Sequence, residues 1–193
     1  MDAMQPLRAA NRLFVAAALP GPARAWLARV GGDLAARTGG RAVPEDHLHV
    51  TLDFLGRVPS SAAPALAEAV RAGLAGPSIR VAVGGLRARP RVARARLVAI
   101  ELDDPAGALA ERARRVREAV DPVLGRTPDG AALWPHVTVV RLGRPARLGP
   151  LEAPAGREQV FDVSRGALYD SHQSPEGPPR YRELVAVEFS PSS

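Results

Sequence analysis

Residues 49–57 read HVTLDFLGR, and residues 136–144 read HVTVVRLGR. Six of the nine positions are identical; the differences fall together in the middle, Leu52, Asp53 and Phe54 against Val139, Val140 and Arg141. The chain has four histidines, and two of them head these copies. A duplicate kept only for packing would retain its apolar positions, but here the polar His and Thr stay while the middle drifts. The repeat predicts a duplicated unit presenting two equivalent His/Thr pairs. On a strand, residues i and i+2 point to the same side. Alternation therefore places His47, His49, Thr51 and Asp53 on one face, and His136 with Thr138 on another.

Outward from the motifs, the same order of elements occurs twice. Residues 12–19 form a short apolar run ending at Pro20-Gly21, which suits a buried strand. A helix follows, with Trp26, Val30 and Leu34 on one stripe, Pro22 at its start and Gly39-Gly40 past its end. The first His strand comes next, then a helix opened by Ser60-Ser61 and striped by Leu66, Val70 and Leu74, then a strand at 79–86. The pattern restarts with a strand at 96–102, a helix at 106–120 and the second His strand at 136–142. Beyond it the halves diverge. Residues 145–157 hold three prolines and exclude a regular helix, and two late strands are expected near 160–169 and 182–189. No linker is long enough to separate two domains, so one domain over 1–193 is expected. Its lobes would cover about 12–87, with contributions from the C-terminal strands, and 96–189.

Composition narrows the chemistry. All 26 basic residues are arginine, and the chain has neither lysine nor cysteine. Disulfides, thiolate metal sites and a cysteine nucleophile are closed to it, as are Schiff bases, Walker-type phosphate binding and lysyl-nucleotide intermediates. The absence of cysteine fits a cytoplasmic protein. A formal net charge of +6 favours a polyanionic partner, since guanidinium forks match phosphate oxygens. Arg8 and Arg12 ahead of LFVAAAL superficially resemble a signal sequence, but the apolar run is too short for a membrane span and is read as a strand. No membrane partner is expected, and a monomer is.

Two facing His-x-Thr strands would hold one imidazole as base and one as acid, which an in-line displacement at phosphorus requires. The threonine hydroxyls could grip non-bridging phosphate oxygens, with Arg141 near enough to offset developing charge.

The phrases HLHVTLDFLG and PHVTVVRL, with the late LYDSHQSPEGPPRY, resemble the 2H phosphoesterase superfamily. Within it the chain is most similar to the bacterial and archaeal RNA 2′,3′-cyclic phosphodiesterases, also called 2′-5′ RNA ligases. The resemblance runs from RLFVAAALP to ELVAVEF. It implies a bilobal α+β fold, a pseudo-twofold duplication with mainly antiparallel sheets around a central cleft. It also implies hydrolysis of terminal 2′,3′-cyclic phosphates to 2′-phosphomonoesters, with no metal or other cofactor, and reversible 2′-5′ ligation. Carried over, His49 is the proton donor, His136 the proton acceptor, and Thr51, Thr138 and Arg141 bind phosphate. The implied substrates are RNA ends, or alternatively small cyclic-phosphate nucleotides; a third reading is an RNA-binding module without catalysis.

Other residues carry two readings each. His47 and His49 form a His-x-His that could begin a metal site, or His47 could lie on the cleft rim. Asp53 could orient an imidazole. The run LRARPRVARAR, with Arg87, Arg89, Arg91, Arg94 and Arg96, could track an RNA backbone or be a solvated hairpin. His172 is expected to be exposed. Tyr169 could stack on a base or pack, and Trp134 is expected to support the second His strand.

Overall fold

The structure is a computed structural model that describes residues 11–127, 130–152, 154, 159–172, 174 and 177–191. Its elements are β1 (Asn11–Ala18), α1 (Gly21–Thr38), β2 (Arg41–Ala42), β3 (His49–Val58), α2 (Ala63–Leu74), β4 (Ile79–Arg89), β5 (Ala95–Asp103), α3 (Ala108–Leu124), β6 (His136–Ala146), β7 (Val160–Val163), β8 (Arg165–His172) and β9 (Arg180–Glu188). This is the mixed, mainly antiparallel architecture expected. The segment before residue 11 and part of the proline-rich stretch, at 153 and 155–157, lie outside the described residues.

The strands run in the order β7-β4-β5-β6-β3-β1-β8-β9, with β2 beside β6, and all ladders are antiparallel. Two four-stranded halves meet at the middle, where β3 and β6 share a single residue pair, Val50 with Val137. These two valines are the same position in the two copies of the motif. An antiparallel pair of equivalent positions places a local twofold axis between them, so the duplication is built into the geometry. The sheet also curls. Only Ser164 separates β7, at one end, from β8, near the other. The Ser164 carbonyl accepts from Phe189 N, and Ser78 N donates to Ser190 O, holding the two ends together.

The strands that follow each unit are exchanged: β4 pairs with β5 of the second copy, and β8 with β1 of the first. The late region holds three strands where two were expected. Its break at Ser164 marks the point where the chain leaves one half-sheet for the other, a change of neighbours that no local pattern encodes. Helix α3 runs past the expected end at 120 to Leu124, carrying Pro122 inside its last turns and ending at the left-handed Gly125. One proline near a helix end forfeits a single internal hydrogen bond, which packing of Val116 and Val120 outweighs. The Asp104 carboxylate accepts from the backbone N–H groups of Ala108, Leu109 and Ala110 at the other end.

Helices cover one face of the sheet and leave the other open. Gly31 of α1 sits so close to β6 that a Cβ there would stand 2.9 Å from the Val139 carbonyl oxygen, and Gly73 of α2 approaches the Val116 backbone of α3 as tightly. The buried helical stripes are those read from the sequence: Trp26, Val30 and Leu34; Leu66, Val70 and Leu74; Leu109, Ala113, Val116 and Val120. No described helix is long and apolar enough to cross a membrane.

Candidate active site

The open face forms a cavity of about 770 Å³ that both motifs line, through His49, Thr51, His136, Thr138 and Arg141. Register through the Val50–Val137 pair sets His49 beside Thr138 and Thr51 beside His136 across the dyad. Within each copy the strand next to the threonine contributes an alanine, Ala16 opposite Thr51 and Ala99 opposite Thr138. All five residues expected to act thus share one cleft.

A matched pair of β-bulges decides which later residues turn into it. Between the pairs Thr51–Ala16 and Asp53–Val15, Leu52 has no partner; between Thr138–Ala99 and Val140–Val98, Val139 has none. An extra residue reverses the alternation beyond it. Leu52 and Val139 are buried on the helical side, and the following cleft-facing positions become Phe54 and Arg141. The expectation that Asp53 shares the His49 face is therefore corrected. Asp53 turns away and pairs with Arg126, 2.5 Å distant, which also holds Asp121.

Each histidine is anchored in the same manner. His49 Nδ1 donates to the His47 carbonyl at 2.7 Å, and His136 Nδ1 donates to the Trp134 carbonyl at 2.7 Å. Donation from Nδ1 fixes the tautomer and leaves Nε2 of each neutral ring as a lone pair. The His49 lone pair accepts from the Thr51 hydroxyl at 3.1 Å. Burial is the main cause that lowers His49 to a pKa of about 4; the carbonyl bond opposes it, while Arg141, His136 and His47 add to it. His136 is also lowered, first by burial, with its carbonyl bond and Glu101 pulling up and Arg89 and Arg141 pulling down. Burial thus holds both imidazoles towards the neutral form in the free protein.

The surroundings break the symmetry. Around His49 they are aromatic: the Phe14 ring lies 5.0 Å away, Tyr181 stands edge-on at 5.6 Å, and Phe54 is 71% exposed in the cavity wall. Around His136 they are ionic: Trp134 stacks on it at 3.7 Å, Arg89 lies over the indole, and Glu101 accepts from the indole N–H. Trp134 supports its strand as expected and also reaches the imidazole itself. His47 holds the position equivalent to Trp134, on the cavity rim, its ring 4.5 Å from Tyr181. Among the described residues no group of three His, Cys, Asp or Glu stands close enough to hold a metal ion. Tyr169 stacks on Phe14 at 5.3 Å, so it packs, and His172 is exposed, as expected, beside Asp170. Sequence reading missed Phe14, Phe54 and Tyr181 as cleft residues. The bulge was the missing signal for Phe54, and Tyr181 arrives from β9, three strands from β3.

Residues 19–174 match the family described as the 2′-5′ RNA ligase superfamily. The chain belongs to that superfamily. An Aeropyrum pernix relative named RNA 2′,3′-cyclic phosphodiesterase is 33% identical over 161 residues, covering 79% of this chain and 88% of its own. Among solved structures, a Thermus thermophilus protein superposes with a TM-score of 0.77 at 22% identity, over 94% of this chain and all of that one (100%). Escherichia coli LigT complexed with 3′-AMP superposes at 0.78 with 24% identity, over 93% and 98% of the two chains. At these identities the two solved structures show a shared fold alone.

Proposed function

We propose that this superfamily member hydrolyses terminal 2′,3′-cyclic phosphates of RNA to 2′-phosphomonoesters. The observation that carries the reading is the Val50–Val137 pair, which brings two equivalent His-x-Thr units into one cleft. The name of the Aeropyrum pernix relative supports the substrate. A cavity of about 770 Å³ suits one terminal nucleotide, with the rest of an RNA lying outside it.

In the proposed reaction Thr51, Thr138 and Arg141 hold the non-bridging oxygens. Nε2 of His136, a free lone pair in the neutral ring, takes a proton from water as the water oxygen attacks phosphorus. The bond from phosphorus to the 3′ oxygen breaks, and Nε2–H of His49 protonates that oxygen. A ribose 5′-hydroxyl at the water position, giving its proton to His136 as the 3′ oxygen leaves, would by the same steps give the 2′-5′ linkage.

His49 has to enter this cycle protonated, yet it is the more depressed imidazole of the free protein. A bound phosphate resolves the conflict. Burial is the main cause that holds His49 down, and a negative charge beside Nε2 opposes it by attracting a proton there while also offsetting the smaller effect of Arg141. Thr51 then turns its hydroxyl from Nε2 to phosphate. The test is product analysis on a 2′,3′-cyclic-phosphate-ended oligoribonucleotide beside the cyclic mononucleotide, in EDTA. A 2′-phosphate product is expected. A 3′-phosphate product, or turnover that needs added metal, would overturn the reading; turnover of the mononucleotide alone would make small nucleotides the substrate.

A further inference from the structure

The two halves keep the same imidazole anchor but hold the ring differently, and the difference falls on residues outside the motif. His49 is gripped at both nitrogens, by the His47 carbonyl and the Thr51 hydroxyl. His136 has only the Trp134 carbonyl, and its Nε2 has no hydrogen-bond partner among the described residues. A single hydrogen bond fixes which nitrogen faces the carbonyl but lets the ring tilt about that bond. The second restraint on His136 is the Trp134 indole, stacked at 3.7 Å with the planes 16° apart.

That indole is itself held. Its N–H donates to Glu101 Oε1 at 2.8 Å, and Glu101 receives both Nε and a terminal nitrogen of Arg87 at 3.1 Å. The Arg89 guanidinium lies 4.2 Å from the indole centroid. Strand pairing makes this compact, because Glu101 lies opposite His136, and Arg87 and Arg89 lie opposite Ala99 and Leu97 on the next strand. The first copy has no counterpart: Ala18 stands opposite His49 where Glu101 stands opposite His136. The arginine-rich run therefore divides. All five arginines are exposed, but Arg87 and Arg89 are the two that touch this support, through Glu101 and the indole.

We propose that Trp134 is a positioning residue for His136, and that Glu101, with Arg87 and Arg89, holds Trp134 in place for that task. The inference rests on His136 acting as proton acceptor, with Nε2 aimed at the attacking water. A base without a second hydrogen bond needs its plane fixed by other means, and a misplacement of about 1 Å costs roughly 10²-fold. The charged and titratable groups acting on His136 are Arg89 from β4, Glu101 from β5, Arg141 from β6 and His49 from β3, with Arg87 of β4 held on Glu101.

Four single variants, one double variant and a fluorescence titration with His136→Ala as its control test this. Trp134→Leu should lower kcat by about 10- to 100-fold and move KM less than about threefold. Trp134→Phe, which keeps a stacking ring without the N–H, should lose less. Glu101→Ala should match Trp134→Phe, and Glu101→Gln, which keeps an acceptor oxygen, should recover most of that loss. The double variant Trp134→Phe with Glu101→Ala should be no slower than either alone, since both act through one contact. Independently of turnover, imidazolium formation should quench the stacked indole. Emission should fall as pH drops through a midpoint below the ordinary histidine range, and His136→Ala should abolish the step. Kcat within twofold of wild type in folded Trp134→Leu, additive losses in the double variant, or emission that ignores His136 would each overturn the proposal. Wild-type protein that shows the fluorescence step but turns over no cyclic phosphate would sink the phosphodiesterase reading and leave the stack standing.

Discussion

Filling the cleft with a phosphodiester should draw a proton from solvent onto the histidine pair. A suitable ligand is a 2′-deoxydinucleoside monophosphate, an anion that cannot cyclise and whose phosphate has no proton to titrate near neutrality. Two unit charges about 4 Å apart interact by about 4 kcal/mol at an effective dielectric near 20. At about 1.4 kcal/mol per pK unit, that is a rise of about 3 units. His49, near 4 in the free protein, would move to about 7. Binding should then take up close to one proton at pH 6, about half a proton at pH 7 and none at pH 9. Titration calorimetry in two buffers of different ionisation enthalpy reads this number directly. The proton belongs to a coupled pair, so His49→Gln is needed to locate it. Binding at pH 6 with no net uptake would rule out a phosphate-induced imidazolium at His49. An uptake that survives His49→Gln unchanged would place the proton on His136 and reverse the two roles.

Three further outcomes follow from the same geometry. His49 is lowered from 6.5 to about 4 on folding, so the unfolded chain binds its proton first. Its contribution is complete above pH 6.5 and is lost as pH falls towards 4. Wild-type stability should therefore drop by about 3 kcal/mol more than that of His49→Gln between pH 7 and pH 4, read by urea unfolding. Phe54, the exposed aromatic set into the cleft by the Leu52 bulge, is a flat platform for a base. Phe54→Ala should raise KM for a cyclic mononucleotide by about 10-fold, from about 1–3 kcal/mol of lost stacking, with kcat changed far less; an unchanged KM would remove the base from that wall. Replacing Arg91, Arg94 and Arg96 together should weaken oligonucleotide binding and reduce its salt slope by about 2–3, while mononucleotide turnover persists. An unaltered slope would make that tip a solvated hairpin.

Much of this site is legible in the amino-acid sequence. The repeat located both histidines and both threonines, and helix stripes such as Leu66, Val70 and Leu74 are buried as expected. Those features depend on local period, which a sequence displays directly. Features set by distant pairing were hidden. A one-residue bulge at Leu52 swapped Asp53 for Phe54 in the cleft, and only the partner strand shows that Leu52 is unpaired. The same holds for Tyr181, brought to His49 across β8 and β1, and for Glu101, which gains meaning only opposite His136. Arg87 and Arg89 look in sequence like the other arginines of their run. Strand register alone separates them from Arg91, Arg94 and Arg96.

Whether a duplicated strand pair holds one acid and one base is decided by the rates of His49→Ala, His136→Ala and the double variant. All three should be measured on one cyclic-phosphate substrate, with folding checked by thermal melting. Each single variant should lose about 10²- to 10⁴-fold, and the double should lose far less than the product, because the groups act as a unit. Near-normal turnover by a folded His136→Ala, or losses that simply multiply, would contradict the two-histidine mechanism.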